Sequence, residues 1–392
     1  MSAVAAVMTG RGSGAIATIQ LNGGAAEAIL TKLLRGMSNK PLDLTTGRIV
    51  LGHVADGDEV VDQVTVGCEG PDVFAIHCHG NPLIVERIMG LLQRNGVQLI
   101  TAEQLLVRTL AAQLPPDSIA AEAKLALTTV RTIAGAEILA HQIESGLSAK
   151  VRQWRQQLNA VPFTQIIAEA EQILRDSESA RLIISGCTIA LVGPPNTGKS
   201  TLLNTLAGRE KAVVTDIWGT TRDWVSAEIH IPPLAATVID TAGLDPALAS
   251  GGEIDRAAQQ KSIEAIGHSH LVLLILDITQ PASQLSKPLA DKLLDKKTIV
   301  VLNKADLPEH FDSVALSAGL GQPIRISARQ STGIEELIRA IHQALNTTAC
   351  DGKMTIAFTP RQISLLGQLK QARPGVEAGR IMSQLLEGPS SA

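Results

Sequence analysis

The sequence contains no tyrosine, and aromatic residues make up only 2% of its 392 positions. Stacking of single-stranded bases needs aromatic platforms, so a reading built on that mode starts weak. Basic residues are not in excess either. Lys and Arg number 34 against 38 Asp and Glu, a formal net charge of −4. That argues against wholesale coating of a nucleic acid, though not against a local basic face. Four cysteines, Cys68, Cys78, Cys187 and Cys350, are scattered and form no C-x-x-C pair. Such usage predicts a reduced, cytoplasmic compartment. No apolar run of about 18 residues occurs, and the N-terminus has no basic stretch ahead of an apolar core. A soluble chain without a membrane partner is expected. What the chain does hold is 45% hydrophobic residues, enough for several buried cores. Its length predicts two or three domains.

One stretch organises the rest. Residues 193–200 read G-x-x-x-x-G-K-S, with Gly193, Asn196, Thr197, Gly198, Lys199 and Ser200. They follow an apolar run at 188–192 and precede a helical pattern from Thr201. Strand, glycine loop and helix in that order build a phosphate cradle. The helix N-terminus presents free N–H groups to the anion. Lys199 is expected on the β- and γ-phosphates and Ser200 on Mg²⁺. Downstream come Thr215, Asp216, Ile217, Trp218, Gly219, Thr220 and Thr221, where a threonine hydroxyl completes the Mg²⁺ shell. Then follow Asp240, Thr241, Ala242 and Gly243 at a strand end, where an Asp supports the metal and the Gly admits the γ-phosphate. Asn303, Lys304 and Asp306 follow another apolar strand. The Asp306 carboxylate can accept from guanine N1–H and its 2-amino group, which adenine lacks. Ser327, Ala328 and Arg329 complete the set, where a backbone N–H meets guanine O6. These motifs in order predict a GTP- and GDP-binding domain over 185–346, with strands and helices alternating as in a parallel sheet. Leu244 stands where Ras carries a water-orienting Gln, so hydrolysis needs another group to place the water.

The flanks are less explicit. Residues 1–114 read as an α+β domain, with strands at 15–21, 49–54, 63–66 and 73–79 and helices at 25–34 and 84–92. The glycine cluster at 10–14 is weak evidence for a nucleotide. His77 and His79 share a strand face. Without further ligands at a telling distance, a structural role is expected for them rather than a metal. Pro115 and Pro116 mark a boundary. Residues 119–158 have helical spacing, with Gly135 and Gly146 as expected interruptions, and the pattern resumes at 165–175. Trp154 among Arg152 and Arg155 is expected at the edge of a core rather than on nucleic acid.

On these motifs, and on Gly10 to Gly12 and Asp72 to Gly80, the chain resembles the bacterial tRNA-modification GTPase family MnmE/TrmE. The resemblance implies a multidomain protein: an α+β N-terminal folate-binding and dimerisation domain (1–114), an α-helical domain in two pieces (115–184 and 354–392), and an α/β, Ras-like P-loop GTPase domain inserted between them (185–346). It implies a homodimer, K⁺-stimulated hydrolysis of GTP, and tRNA and an MnmG-like flavoprotein as partners. Asn196, Thr215, Ile217 and Thr220 would hold K⁺, and Ser200 and Thr221 would hold Mg²⁺. Lys199, Asn196, Thr221 and a water-orienting Glu253 would form the catalytic set. The departures fall on folate chemistry. Gln20 stands where the family carries Arg, Ala75 where it carries Glu, and residues 111–115 replace the segment with a third polar group. The terminal residues 387–392 carry neither Cys nor Lys. Two readings follow: a GTPase of tRNA wobble-uridine modification, or a GTP-regulated dimeric switch that has lost the folate-dependent step.

Overall fold

The computed structural model describes residues 3–10, 12–37, 42–113, 118–209, 225–240, 266–285, 287–312 and 320–387. The chain divides into two compact units, residues 1–115 and 116–392.

The first unit is built on a seven-stranded sheet. Its strands are β1 (Val4–Val7), β2 (Ile16–Asn22), β3 (Leu34–Gly36), β4 (Ile49–Asp56), β5 (Glu59–Gly70), β6 (Val73–His79) and β7 (Gln98–Leu99), in the order β3-β4-β5-β6-β2-β1-β7. Alternation along the strands sorts their side chains. Ile19, Leu21, Val64, Val66, Phe74 and Ile76 face a core shared with the helices α1 (Ala26–Leu33) and α2 (Pro82–Arg94). On β1 the period of two is visible in a single strand. Ala5 joins that core, whereas Val4 and Ala6 pack with Leu105 of α3 (Ala102–Gln113) on the other face. Helix α2 starts where Asn81 accepts from the Leu83 N–H at 2.9 Å and Pro82 supplies the first turn, a signal that initiates a helix. The predicted strand at 63–66 is the middle of a longer one. β5 runs twelve residues because its hairpin partner β4 pairs with it from Gly67 back to Glu59.

The second unit combines a helical bundle with a six-stranded sheet. Its first helices are α4 (Ser118–Ala126), α5 (Ile133–Glu144), α6 (Leu147–Gln157) and α7 (Phe163–Ser185). Gly146 separates α5 from α6 as expected, but Gly135 does not interrupt anything. It is the third residue of α5, where its N–H donates to the capping Thr132 hydroxyl at 2.9 Å. A Cβ there would press on Val130 and on the backbone of Ile184, so the glycine serves close packing. Trp154 is fully buried, not at an edge, and its indole N–H donates to Glu169 at 2.7 Å.

The sheet strands are β8 (Cys187–Val192), β9 (Val225–Ile231), β10 (Leu234–Asp240), β11 (Leu271–Asp277), β12 (Thr298–Asn303) and β13 (Ile324–Arg325), in the order β13-β12-β11-β8-β10-β9. All neighbours are parallel except the β10–β9 hairpin at one edge. β8 and β11 read as unbroken apolar runs because both faces are covered. Ile189 and Leu191 enter one core, with Leu202 and Leu206 of α8 (Lys199–Arg209) and Ile334, Leu337 and Ile341 of the later helix α10 (Ile334–Ala344). Ala190 and Val192 enter another, with Leu289 and Leu293 of α9 (Lys287–Leu293).

The chain then returns to the bundle. Leu366 and Leu369 of α11 (Pro360–Gln371) and Ile381, Met382 and Leu385 of α12 (Val376–Glu387) share a core with Leu147, Val151, Trp154 and Ile166. Buried polar side chains fix this return. Gln142, fully buried, donates to the carbonyls of Ile138 and Met354 at 2.8 and 2.7 Å and accepts from the N–H groups of Leu147 and Ile356. Ser177 accepts from the Ala357 N–H at 2.8 Å. Arg361 pairs with Glu122 at 2.6 Å and donates to the Gln384 and Leu385 carbonyls in the last turn of α12.

Candidate guanine-nucleotide site

Strand order places the site. β8 leads on to β9 and β10 on one side and its other neighbour β11 leads on to β12 on the other, so the connections after these two adjacent strands run in opposite directions. Such a switch point opens a crevice for a ligand. The glycine loop occupies it.

Two glycines of that loop are required by contact as well as by conformation. Gly193 has φ +153° and Gly198 has φ +93°. A Cβ on Gly193 would run into the Ile275 carbonyl oxygen, and one on Gly198 into the Asn303 amide nitrogen. Asn196 adopts a left-handed φ of +62° and is exposed. Lys199, only 8% exposed, donates from Nζ to the carbonyls of Gly193 and Pro194 at 3.1 and 2.9 Å. Burial pushes its pKa down, and the Asp240 carboxylate only partly opposes this. A desolvated ammonium at the head of α8 favours an arriving anion. Ser200 Oγ donates to Asp240 Oδ2 at 2.6 Å. The structure thus brings together a hydroxyl and a carboxylate from two motifs 40 residues apart. Both are hard oxygen donors beside the phosphate loop, a set that fits Mg²⁺. Thr201 is exposed on the next position of α8.

The two motifs expected to recognise the base are joined to the glycine loop by one residue. Asn303, 3% exposed, donates from Nδ2 to the Thr197 carbonyl at 2.8 Å and accepts at Oδ1 from the Ala328 N–H at 3.0 Å. Thr205 of α8 donates to the Ala328 carbonyl at 2.8 Å. Ser327 is buried and Arg329 exposed. The Asp306 side chain is exposed, and a hydrogen bond from Ser327 holds its carboxyl below the usual carboxylate range. Asp306 is therefore ionised and acceptor-only at neutral pH, as recognition of guanine N1–H and N2–H₂ requires.

Sequence reasoning passed over Asp277, the last residue of β11. It lies in a parallel pair opposite Asn303 and binds the Lys304 ammonium at 2.5 Å. Its signal was a carboxylate closing an otherwise apolar strand. Of the other predicted groups, Thr215, Asp216, Ile217, Trp218, Gly219, Thr220, Thr221, Thr241, Ala242, Gly243 and Glu253 lie outside the described residues.

In the first unit the features singled out find local partners. His79 Nδ1 lies 2.7 Å from Asp62, and His77 Nδ1 lies 3.0 Å from Thr18 Oγ1. No group of three or more metal-ligating side chains occurs among the described residues. The glycine turn meets β6: Gly14 donates to the Gly80 carbonyl at 2.9 Å, and a Cβ on Gly80 would strike the Gly14 backbone. Gln20 and Ala75 are direct cross-strand partners on β2 and β6. The Gln20 amide donates to Glu69 at 2.6 Å. Cys68, Cys78 and Cys187 are buried. Burial raises the pKa of all four thiols, that of Cys187 to about 12. None is primed as a thiolate at neutral pH.

Residues 3–104 match the family model described as the GTP-binding protein TrmE N-terminus, and residues 188–304 match that of a 50S ribosome-binding GTPase. The tRNA modification GTPase MnmE of Clostridioides difficile is 28% identical over 85% of this chain and 80% of its own length. That of Bacillus subtilis is 29% identical over 95% and 89%. Among solved structures, the G domain of the T. maritima FeoB iron transporter is 27% identical over 40% of this chain and 98% of its own, with a TM-score of 0.33. With one model on each unit and these relatives aligned along 85% and 95% of the chain, the similarities support membership of the MnmE/TrmE family.

Proposed function

We propose that this chain is a Mg²⁺-dependent GTPase that serves tRNA modification, as the names of its relatives describe. The observation that carries the guanine assignment is Asn303. It binds the phosphate loop with one end of its amide and the Ala328 N–H with the other, so phosphate and base motifs form one cradle. Within it Lys199 and the α8 N-terminus hold the phosphates, Asp306 reads the base, and Ser200 with Asp240 would hold the metal. Mg²⁺, when bound, would neutralise charge on the phosphate oxygens.

The finer parts of the reading follow the family. Asn196, with Thr215, Ile217 and Thr220, would hold K⁺ beside the phosphates, Thr221 would join Ser200 on Mg²⁺, and Glu253 would orient the attacking water that Leu244 cannot. The exposed, left-handed Asn196 supports the first of these. Three domains are proposed: 1–114, a helical domain of 115–184 with 354–392, and the GTPase domain 185–346. The core shared by α4, α6, α7, α11 and α12 supports the discontinuous one. A homodimer working in the cytoplasm with tRNA and an MnmG-like flavoprotein completes this reading. GTP turnover at equal ionic strength tests its catalytic part. It should be faster in K⁺ than in Na⁺, and Asn196→Ala should erase the difference.

One observation favours the second reading, a GTP-regulated switch without folate chemistry. Gln20 and Ala75, the two uncharged replacements, face each other across β2 and β6, and the Gln20 amide is taken up by the Glu69 carboxylate. A neutral amide, a methyl and a carboxylate give a folate glutamate tail no cation to bind. Calorimetry with 5-formyltetrahydrofolate separates the two. No heat at micromolar concentrations is expected for the switch, and a micromolar Kd for the enzyme.

A further inference from the structure

Asp277 ends an apolar strand and is only 6% exposed. A buried carboxylate needs partners, and each of its oxygens has them. Oδ1 accepts from the Thr279 N–H at 2.9 Å and the Thr279 hydroxyl at 2.7 Å, and Oδ2 accepts from Lys304 Nζ at 2.5 Å. Its own N–H and carbonyl are held by the Gln284 side-chain amide at 2.9 Å each. Burial raises its pKa, but the bonds from Lys304 and Thr279 outweigh that and keep it below the usual range. The anchor is therefore rigid and ionised. Lys304 stands one residue beyond Asn303, the partner of Asp277 across β11 and β12, and holds a left-handed φ of +66°. A lysine in that conformation is uncommon and must be held there.

We propose that Asp277 is a positioning residue for base recognition: by anchoring the Lys304 ammonium, it fixes the lysine's alkyl stem as one wall of the site in which Asp306 binds guanine. The proposal rests on the GTP-binding reading above. An unanchored lysine stem is among the most mobile side chains, and its freedom would be lost on each binding event. Ion pairing with Asp277 removes that freedom before the nucleotide arrives. The stem offers apolar surface while its charge is satisfied elsewhere.

A double-mutant cycle on the full chain, with GDP and GTP titrated calorimetrically, tests it. Asp277→Asn keeps an oxygen for Thr279 and removes the charge facing Lys304. It should weaken GDP and GTP by the same factor, about tenfold for the ordering of one long side chain. In the Lys304→Ala background the same change should have no further effect, because there is no ammonium left to anchor. Thr279→Val, which removes one brace of the carboxylate from a half-buried position, should weaken GDP in the same Lys304-dependent way. Equal losses with and without Lys304, or no loss, would overturn the proposal by showing a purely structural Asp277. A wild type that does not bind GDP would instead defeat the nucleotide reading itself.

Discussion

At the scale of single residues, the phosphate loop was legible because its chemistry is local. Gly193, Gly198 and Lys199 lie within seven positions, and what the structure shows of them, two positive-φ glycines and a lysine bonded to the Gly193 and Pro194 carbonyls, is set by near neighbours. The ties between motifs were not legible. Asn303 reaches Thr197 across 106 positions and Ala328 across 25. Nothing in a linear pattern states which amide end serves which loop. This contact makes Gly198 a sharp test. Gly198→Ala would place a methyl against the Asn303 amide at a φ of +93°. A non-glycine residue there costs of order 1–3 kcal/mol in strain, before the Asn303 bond to Thr197 is lost. GDP affinity measured by calorimetry should fall at least about tenfold, while the fold seen by circular dichroism is retained.

Among elements, sequence patterning was reliable where a strand was buried on both faces and weaker where pairing set its length. β11 announces itself by composition, whereas β5 extends beyond its apolar centre because β4 continues to pair with it. The opening strand β1 went unpredicted; it has only four residues and splits its side chains between two cores. Gly135 was misjudged because a glycine in a helical pattern has two meanings, a break or a close approach, and only the neighbouring Ile184 backbone distinguishes them. Two histidines give the sheet unit a pH signature. His270 accepts from the Thr188 N–H at 3.0 Å at the start of β8, and His342 lies 3.0 Å from the Thr347 hydroxyl after α10. Burial, then Arg181 and Lys297, lowers the His270 pKa below its ordinary 6.5; burial alone lowers that of His342. The folded chain therefore binds fewer protons than the unfolded one between those lowered values and 6.5. Stability is full above about pH 6.5 and falls as the pH drops through that window. Denaturant midpoints should decline from pH 7 to pH 5. His270→Gln, which keeps a neutral side chain at all pH values, should flatten the decline.

For the whole molecule, the two-piece origin of the bundle was suggested by the resemblance, but its fastening was invisible in sequence. Gln142 was one glutamine among many in a helical stretch. It proves to be a fully buried hub that binds the returning backbone at Met354 and Ile356, 212 and 214 positions away. Gln142→Leu would strand the N–H groups of Leu147 and Ile356 and the Met354 carbonyl. Each unsatisfied buried group costs about 1–3 kcal/mol. Urea unfolding of the full chain should show a loss of roughly 3 kcal/mol or more, a large part of what usually holds a domain together. A change below about 0.5 kcal/mol, the range of ordinary surface substitutions, would remove Gln142 from that role.

The proposed function stands or falls on whether the second unit selects guanine through Asp306. The most direct measurement titrates the chain with GDP, ADP and xanthosine diphosphate, and repeats it for Asp306→Asn. GDP should bind and ADP should not, because adenine lacks the 2-amino donor that the carboxylate needs. Asp306→Asn should lose GDP and gain xanthosine diphosphate, since its amide donates where the carboxylate only accepts. Equal affinity of the wild type for GDP and ADP, or an Asp306→Asn protein that still prefers GDP, would contradict the account.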